Sequence, residues 1–107
     1  MAQSTDEKVE CRTPTPGKKP TRIDRWKFDI LRRAILEAVR ANRAGILFSE
    51  LTDDVRQRLT AEELARVGSL MWYVTTVKLE LEVRGELRRA PDESPQRLVA
   101  TPRGTRP

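Results

Sequence analysis

The sequence contains no histidine, a single cysteine and only five aromatic side chains in 107 residues. Histidine is the commonest general base and the commonest transition-metal ligand, so its absence removes the simplest routes to acid–base catalysis and metal binding. Because Cys11 has no second cysteine to pair with, no disulfide forms within the chain, which agrees with a reducing compartment. No histidine is present to activate its thiol, so we interpret Cys11 as an ordinary surface side chain.

The remaining residue types also lack a catalytic pattern. Adjacent carboxylates occur at 53–54, 62–63 and 92–93, but sequence neighbours diverge on a helix and do not form a shared acid–base site. The glycines match neither a phosphate-binding loop nor a dinucleotide-binding pattern. The sequence therefore predicts a protein that is not an enzyme and that needs no cofactor and no metal.

Long apolar runs are also missing. A membrane-spanning helix needs about 20 consecutive apolar residues, and no run here approaches that length. The first ten residues, MAQSTDEKVE, lack the basic and then apolar regions of a secretory signal. We therefore expect a soluble, cytoplasmic protein with no membrane partner.

The net charge is +5, and most of this excess lies at the ends of the chain. Residues 1–22 carry five basic and three acidic side chains, and residues 101–107 add two arginines. Residues 23–100 hold fourteen basic and thirteen acidic side chains, a balance of +1. Since phosphate neutralisation supplies much of the affinity for DNA, this central region would need an uneven distribution of its charges to bind a duplex.

Prolines and glycines divide the chain into three parts. Residues 1–20 include CRTPTPGKKP, in which the prolines oppose helix and central strand alike, so we predict a flexible, basic, proline-rich arm. Residues 21–100 form the predicted domain. Residues 101–107, TPRGTRP, are predicted to be a disordered tail.

Apolar spacing in the domain predicts a first helix, RWKFDILRRAILEAVRAN, with Thr21 or Asp24 as its N-cap and Gly45 as the stop just after it. Its apolar stripe contains Phe28, Leu31, Ile35 and Ala38. A short apolar run at 46–48 then leads to Ser49, the predicted N-cap of a second helix.

Glycines and capping residues mark the elements that follow. Thr60 and Glu63 have the spacing of a capping box, which predicts a helix of about two turns that ends at Gly68. A third main helix is predicted from Ser69 to Gly85. The segments ELRRA and QRLVA flank PDESP and predict a β-hairpin.

This order of helix, short strand, helix, helix and hairpin predicts an α+β, mainly α, winged-helix-like fold. The segments PTRIDRWKFDILRRAIL and GSLMWYVTTVKLELEVRGEL, with the later PQRL, resemble a family of small, mostly bacterial, uncharacterised proteins with a winged-helix-like fold. The resemblance covers residues 9 to about 100. It implies a fold and no particular activity.

The third main helix is apolar on two opposite faces. A helical wheel places Leu70, Tyr73, Val74, Val77 and Leu81 on one face, which we predict to be core. Trp72, Leu79 and Val83 lie on the opposite face, and either the same chain or a partner could cover them. The polar residues form two strips between these faces: Thr75, Lys78 and Glu82 on one side, and Thr76, Glu80 and Arg84 on the other.

Two hypotheses follow. In the leading one the domain associates with double-stranded DNA through the arm, the edge of the third helix and the hairpin. The predicted contacts are Lys18, Lys19, Arg22, Thr75, Lys78, Arg88, Arg89 and Arg97. In the alternative, Trp72, Leu79 and Val83 form an interface with another protein or a second copy. The acidic residues Asp92 and Glu93, at the predicted hairpin tip, oppose a DNA contact by the hairpin.

Overall fold

The computed structural model describes residues 7–15, 17–90 and 96–101 of the chain and contains four helices and two small antiparallel sheets. The elements in chain order are β1 Lys8–Cys11, β2 Thr21–Asp24, α1 Arg25–Arg40, β3 Ile46–Leu47, α2 Phe48–Gln57, α3 Ala61–Val67, α4 Leu70–Val83, β4 Leu87–Arg89 and β5 Arg97–Ala100. The α+β, mainly helical class predicted from the sequence is confirmed.

Helix α1 lies at the centre of the domain. Its predicted apolar stripe is buried, and it packs against α4, α2 and β5. The helix ends at Arg40, two residues before the predicted end at Asn42, and Gly45 is not its C-terminal stop. Gly45 lies in the turn before β3 with φ +99°, and a Cβ there would approach the Leu98 carbonyl oxygen to 2.9 Å. This glycine is required by a tight turn against β5.

The N-terminal residues of α2 and α3 differ in how well the sequence predicted them. Helix α2 begins at Phe48, one residue before Ser49, which is therefore not its N-cap. The capping box of α3 is confirmed, because the Glu63 amide donates to Thr60 Oγ1 at 3.0 Å and the Thr60 amide donates to Glu63 Oε1 at 2.9 Å. Gly68 follows α3 with φ +85°, as the predicted stop requires.

The predicted hairpin is present as β4 and β5, and β3 pairs with the other edge of β5 to give the order β3-β5-β4. Its connecting residues, including Asp92 and Glu93, lie outside the described residues. The order of elements from α1 to β5 is the one predicted, with α3 inserted between the second and third main helices. It is compatible with a winged-helix-like arrangement.

The first strand contradicts part of the predicted arm. Residues 8–11 pair with β2 in antiparallel register, and Val9 and Cys11 are buried against the core. The interpretation of residues 1–20 as a flexible arm is therefore wrong for this segment. The sequence KVEC has the alternation of a half-buried strand, but two apolar residues are too few to give a clear period-2 signal.

Candidate interaction site

Helix α4 supplies both the centre of the core and the most apolar exposed surface of the described residues. Leu70, Val74, Val77 and Leu81 are buried, and Tyr73 is partly buried beside them. The predicted core face is therefore confirmed. The remaining faces of α4 determine what the domain offers to a partner.

The polar strip of α4 that contains Glu80 and Arg84 is covered by the N-terminal segment. Glu80 is 1% exposed, and its Oε1 accepts hydrogen bonds from the Arg12 amide at 2.7 Å and from Arg12 Nε at 3.1 Å. Its Oε2 accepts from Arg12 Nη2 and from Arg84 Nε, both at 2.8 Å. Burial alone would raise the pKa of Glu80, but the hydrogen bonds from Arg12 and Arg84 outweigh it and hold the pKa below its usual value. This carboxylate attaches the end of β1 to α4.

The other polar strip, which contains Lys78 and Glu82, also makes its contacts within the chain. Lys78 is 2% exposed, and its Nζ lies 2.7 Å from Glu82 Oε2 and 4.7 Å from the centre of the Phe48 ring. Burial lowers the pKa of Lys78, and the pairing with Glu82 opposes that shift. Arg89 Nε donates to the other carboxylate oxygen of Glu82 at 2.8 Å. Lys78 therefore does not reach a phosphate in this conformation, contrary to its predicted role as a DNA contact.

Cys11 differs from its predicted place at the surface. It is buried beneath α4, and burial and the nearby Glu80 carboxylate raise the pKa of its thiol to about 11. A thiol that is both buried and protonated at neutral pH is a poor nucleophile. The expectation that Cys11 has no catalytic part is consistent with this environment, although the reason is burial and not exposure.

The outer face of α4 carries the two large hydrophobic side chains that are exposed among the described residues. Met71 is 70% exposed and Trp72 is 50% exposed. A shallow groove of about 600 Å³ lies along this face, and all of its lining residues are uncharged. They are Thr21, Met71, Trp72, Thr75, Thr76 and Leu79. We call the five residues of this set that lie on α4 the α4 patch. Leu79, which belongs to the patch, is partly buried. Val83, which was also predicted on this face, does not line the groove and is partly buried too.

The two threonines make the α4 patch more apolar than its sequence indicates. Thr75 Oγ1 donates to the Met71 carbonyl at 2.8 Å, and Thr76 Oγ1 donates to the Trp72 carbonyl at 2.9 Å. Both hydroxyls are therefore satisfied within the helix, one turn back. Thr75 needs no external partner, so its predicted contact with a DNA base has no support from its hydrogen bonding.

Trp72 is held in place although half of it is exposed. Its ring lies 4.9 Å from the ring of Tyr73 in an edge-to-face arrangement, with 85° between the two planes. Tyr73 is fixed in turn by Lys27, whose Nζ lies 3.1 Å from the phenol oxygen. A large side chain that is already ordered loses less rotational freedom when a partner covers it.

The other predicted DNA contacts are dispersed. Lys18 and Lys19 are exposed between β1 and β2, Arg22 is exposed on β2, and Arg88 is exposed on β4. Arg97 is partly buried and donates to the Gly45 carbonyl at 3.1 Å. On the hairpin, Arg89 is paired with Glu82 and Arg97 is held against Gly45, so Arg88 is the hairpin arginine that is exposed without an ion pair among the described residues.

A basic groove lies near the start of α1, and the sequence reasoning missed it. It has a volume of about 450 Å³ and contains five cationic and two acidic side chains. Its charged lining residues are Lys8, Glu10, Arg12, Arg22, Arg25, Glu80 and Arg84. Since these residues lie in or directly after β1, β2, α1 and α4, no single segment of the sequence could have indicated the cluster.

The described residues contain no cluster of three side chains suited to hold a metal ion. Within the same ranges, each helix is too short or too polar to cross a membrane.

Comparison with known proteins adds a family and no activity. Searches of curated proteins and of solved structures give no match. A family model described as a family of unknown function matches residues 8–98, which begins at the first residue of β1 and extends into β5. Because this match covers most of the chain, the protein belongs to the family of unknown function DUF6958.

Proposed function

We propose that this domain is a non-catalytic interaction module and that the α4 patch is the surface that binds another polypeptide chain. The observation that carries the proposal is the exposure of Met71 and Trp72 beside an uncharged groove, on a helix whose charged side chains are largely engaged within the chain. Contiguous exposed apolar surface of this kind is typical of protein interfaces.

The energetics support a binding surface. Covering the exposed half of Trp72 removes roughly 100 Å² of apolar area from water, which contributes about 2.5 kcal/mol to association. Tryptophan is enriched among the residues that dominate binding energy, especially where its ring is already ordered. Leu79 extends the apolar surface by two turns, and the internally bonded Thr75 and Thr76 present no unsatisfied hydroxyl.

Photocrosslinking in the producing cells tests this function. A benzoylphenylalanine placed at position 72 keeps an aromatic side chain there, and the same group at position 37 on the exposed side of α1 is the control. We expect a discrete adduct from position 72 and none above background from position 37. Met71→Glu in the same chain should suppress the adduct, because burying an unpaired carboxylate is costly.

The disruptive variants must remain folded for this result to be informative. Met71 is largely exposed, so Met71→Glu should leave the thermal unfolding midpoint nearly unchanged. Leu79→Asp is a second variant, and it should also suppress the adduct while the far-ultraviolet circular dichroism stays native. Equal crosslinking from positions 72 and 37, or an adduct that survives both variants, would refute the proposed function.

The basic groove supports a second candidate function, association with nucleic acid. Its five cations include Arg22, which is exposed and forms no ion pair within the described part of the chain, and Lys18 and Lys19 lie in the adjoining connection. Such a groove would contact phosphates and would not read bases. This differs from the predicted contact through the edge of α4, because Lys78 is buried.

Fluorescence anisotropy with a labelled generic duplex, at low and high salt, tests the second candidate. Affinity should fall steeply with salt, and Arg22→Glu should weaken it at every salt concentration. Arg43→Glu is the matched control, since Arg43 is exposed beyond the opposite end of α1. Equal loss from both substitutions would indicate a general charge effect, and no binding at low salt would eliminate the candidate.

A further inference from the structure

We infer that the polypeptide bound by the α4 patch is a second copy of this chain, with the two α4 helices packed antiparallel across a two-fold axis that passes between Thr75 and Thr76. This inference rests on the proposed function and names its partner. It is argued from the spacing of the patch, from the size of its side chains and from its charge.

Four of the five patch residues are spaced symmetrically about the midpoint between residues 75 and 76, and Met71 lies outside this symmetric set at the N-terminal end. Trp72 and Leu79 are seven residues apart, which places them on nearly the same side of a helix. Thr75 and Thr76 lie equally far from the midpoint, one on each side of the line that joins Trp72 to Leu79 along the helix. In an antiparallel pair centred there, Trp72 of each copy faces Leu79 of the other. An isologous interface requires this self-complementarity.

Side-chain size agrees with such a pairing. The threonines at the centre are small and make their polar contacts within their own helix, so two helix axes can approach to about 8–10 Å at the crossing point. A large Trp72 opposite a medium Leu79 at each end fills the widening space beside the crossing. The partly buried Val83 lies one turn beyond Leu79 and continues the apolar line.

The absence of charge in the lining of the groove allows a second copy to pack there. The chain carries a net charge of +5, so two copies repel each other through most of their surfaces. The groove along α4 is lined entirely by uncharged residues, and an identical surface can face it without like-charge contacts. A strongly acidic partner would find no cation within this lining.

The expected affinity follows from the size of the contact. Helix α4 has 14 residues and is about 21 Å long, so one helix pair buries less than the roughly 1,200 Å² typical of stable specific interfaces. The dimer should therefore have a Kd in the micromolar range or weaker. Its detection requires protein concentrations of about 100 µM or above.

Disulfide trapping tests the geometry directly. In the antiparallel pair the two copies of residue 76 bring their Cα atoms to roughly 6 Å, which is within disulfide reach. Val83→Cys is the matched control for Thr76→Cys, because it is also partly buried on α4, seven residues along. Its two copies would lie more than about 20 Å apart along the antiparallel helices. Native Cys11 can remain, since it is buried and its thiol pKa is about 11.

At about 100 µM under mild oxidation, Thr76→Cys should form a disulfide-linked dimer of twice 12.3 kDa at least about tenfold faster than Val83→Cys. Adding Met71→Glu should slow that reaction, and sedimentation of the unmodified chain should show a concentration-dependent dimer. Rapid linking at both positions would mean parallel helices and would overturn the inference. Slow linking at both would mean that α4 does not pair with itself.

The photocrosslinked adduct separates this inference from the function on which it rests. An adduct of twice the chain mass, containing this sequence alone, supports the dimer. An adduct from position 72 that contains a different chain overturns the dimer and leaves the interaction function intact. The absence of any adduct from position 72, in cells that overproduce the chain to about 100 µM or above, overturns both.

Discussion

Replacement of Glu80 by glutamine should destabilise the domain by about 2 kcal/mol although it keeps the size of the side chain. Glu80 Oε2 accepts two charge-assisted hydrogen bonds, from Arg12 Nη2 and from Arg84 Nε. If the glutamine keeps its oxygen toward the Arg12 amide, its NH₂ group occupies the place of Oε2 and faces these two donors. Hydrogen bonds to charged groups contribute about 1.5–3 kcal/mol each. Roughly half of the loss is recovered, because both guanidinium groups retain access to water.

Urea unfolding at neutral pH measures this difference between wild type and Glu80→Gln. The matched control is Asp53→Asn, which removes an exposed ion pair with Arg56 and should cost less than about 0.5 kcal/mol. Amide hydrogen exchange shows which part of the fold loses stability in Glu80→Gln. Val9 and Cys11 should exchange faster in Glu80→Gln, because the carboxylate attaches the end of β1 to α4.

The stability difference between wild type and Glu80→Gln should change with pH in a defined direction. The pKa of Glu80 is lowered in the folded protein from its usual value of 4.5, so its charge stabilises the fold fully above pH 4.5 and loses that effect as the pH falls through the folded pKa. The difference between wild type and Glu80→Gln should therefore shrink below pH 4.5. A difference under 0.5 kcal/mol at neutral pH, or one that grows in acid, would refute the assignment of Glu80 as the attachment point of β1.

Three further predictions concern other parts of the fold. Cys11 should react with a thiol reagent at pH 8 about 100-fold more slowly in the folded than in the unfolded chain through ionisation alone, because its pKa rises from 9.0 to about 11, and comparable rates would show an exposed thiol. Gly45→Ala should lower the urea midpoint more than Gly68→Ala, since a Cβ at 45 meets β5 at 2.7 Å whereas one at 68 has no neighbour within 4 Å; an equal loss would contradict this. Glu82→Ala should cost about 3 kcal/mol in urea unfolding because it leaves the buried Lys78 ammonium unpaired, and Lys78→Met added to that variant should recover part of the loss.

The sequence predicted well those features that depend on local pattern. The stripe on α1, the capping box at Thr60 and the stop at Gly68 each reflect interactions within a few residues, so their signals lie next to each other in the chain. The hairpin of β4 and β5 was likewise found from two short runs around a turn. The end of α1 was placed too late, because Gly45 serves the turn before β3 and not the end of the helix.

The candidate site was predicted only in part. A helical wheel identified the apolar outer face of α4, but it treated Lys78 and Glu80 as surface because charged residues are seldom buried. Their burial depends on partners elsewhere: Phe48 lies over the Lys78 ammonium, and Arg12 approaches Glu80 from 68 residues away. No periodicity within α4 contains that information. The wheel also could not show that Thr75 directs its hydroxyl back along the helix.

The contact between Arg12 and Glu80 also determines when the domain can be completed during synthesis. Arg12 leaves the ribosome first, but its binding partner is translated 68 residues later. At about 5–20 residues per second, this interval lasts roughly 3–14 s. During that time β1 can pair with β2, but its apolar side has no α4 to cover it. The nascent chain therefore carries β1, with its Cys11 thiol, covered only by β2 and α1 until nearly the whole domain has been made.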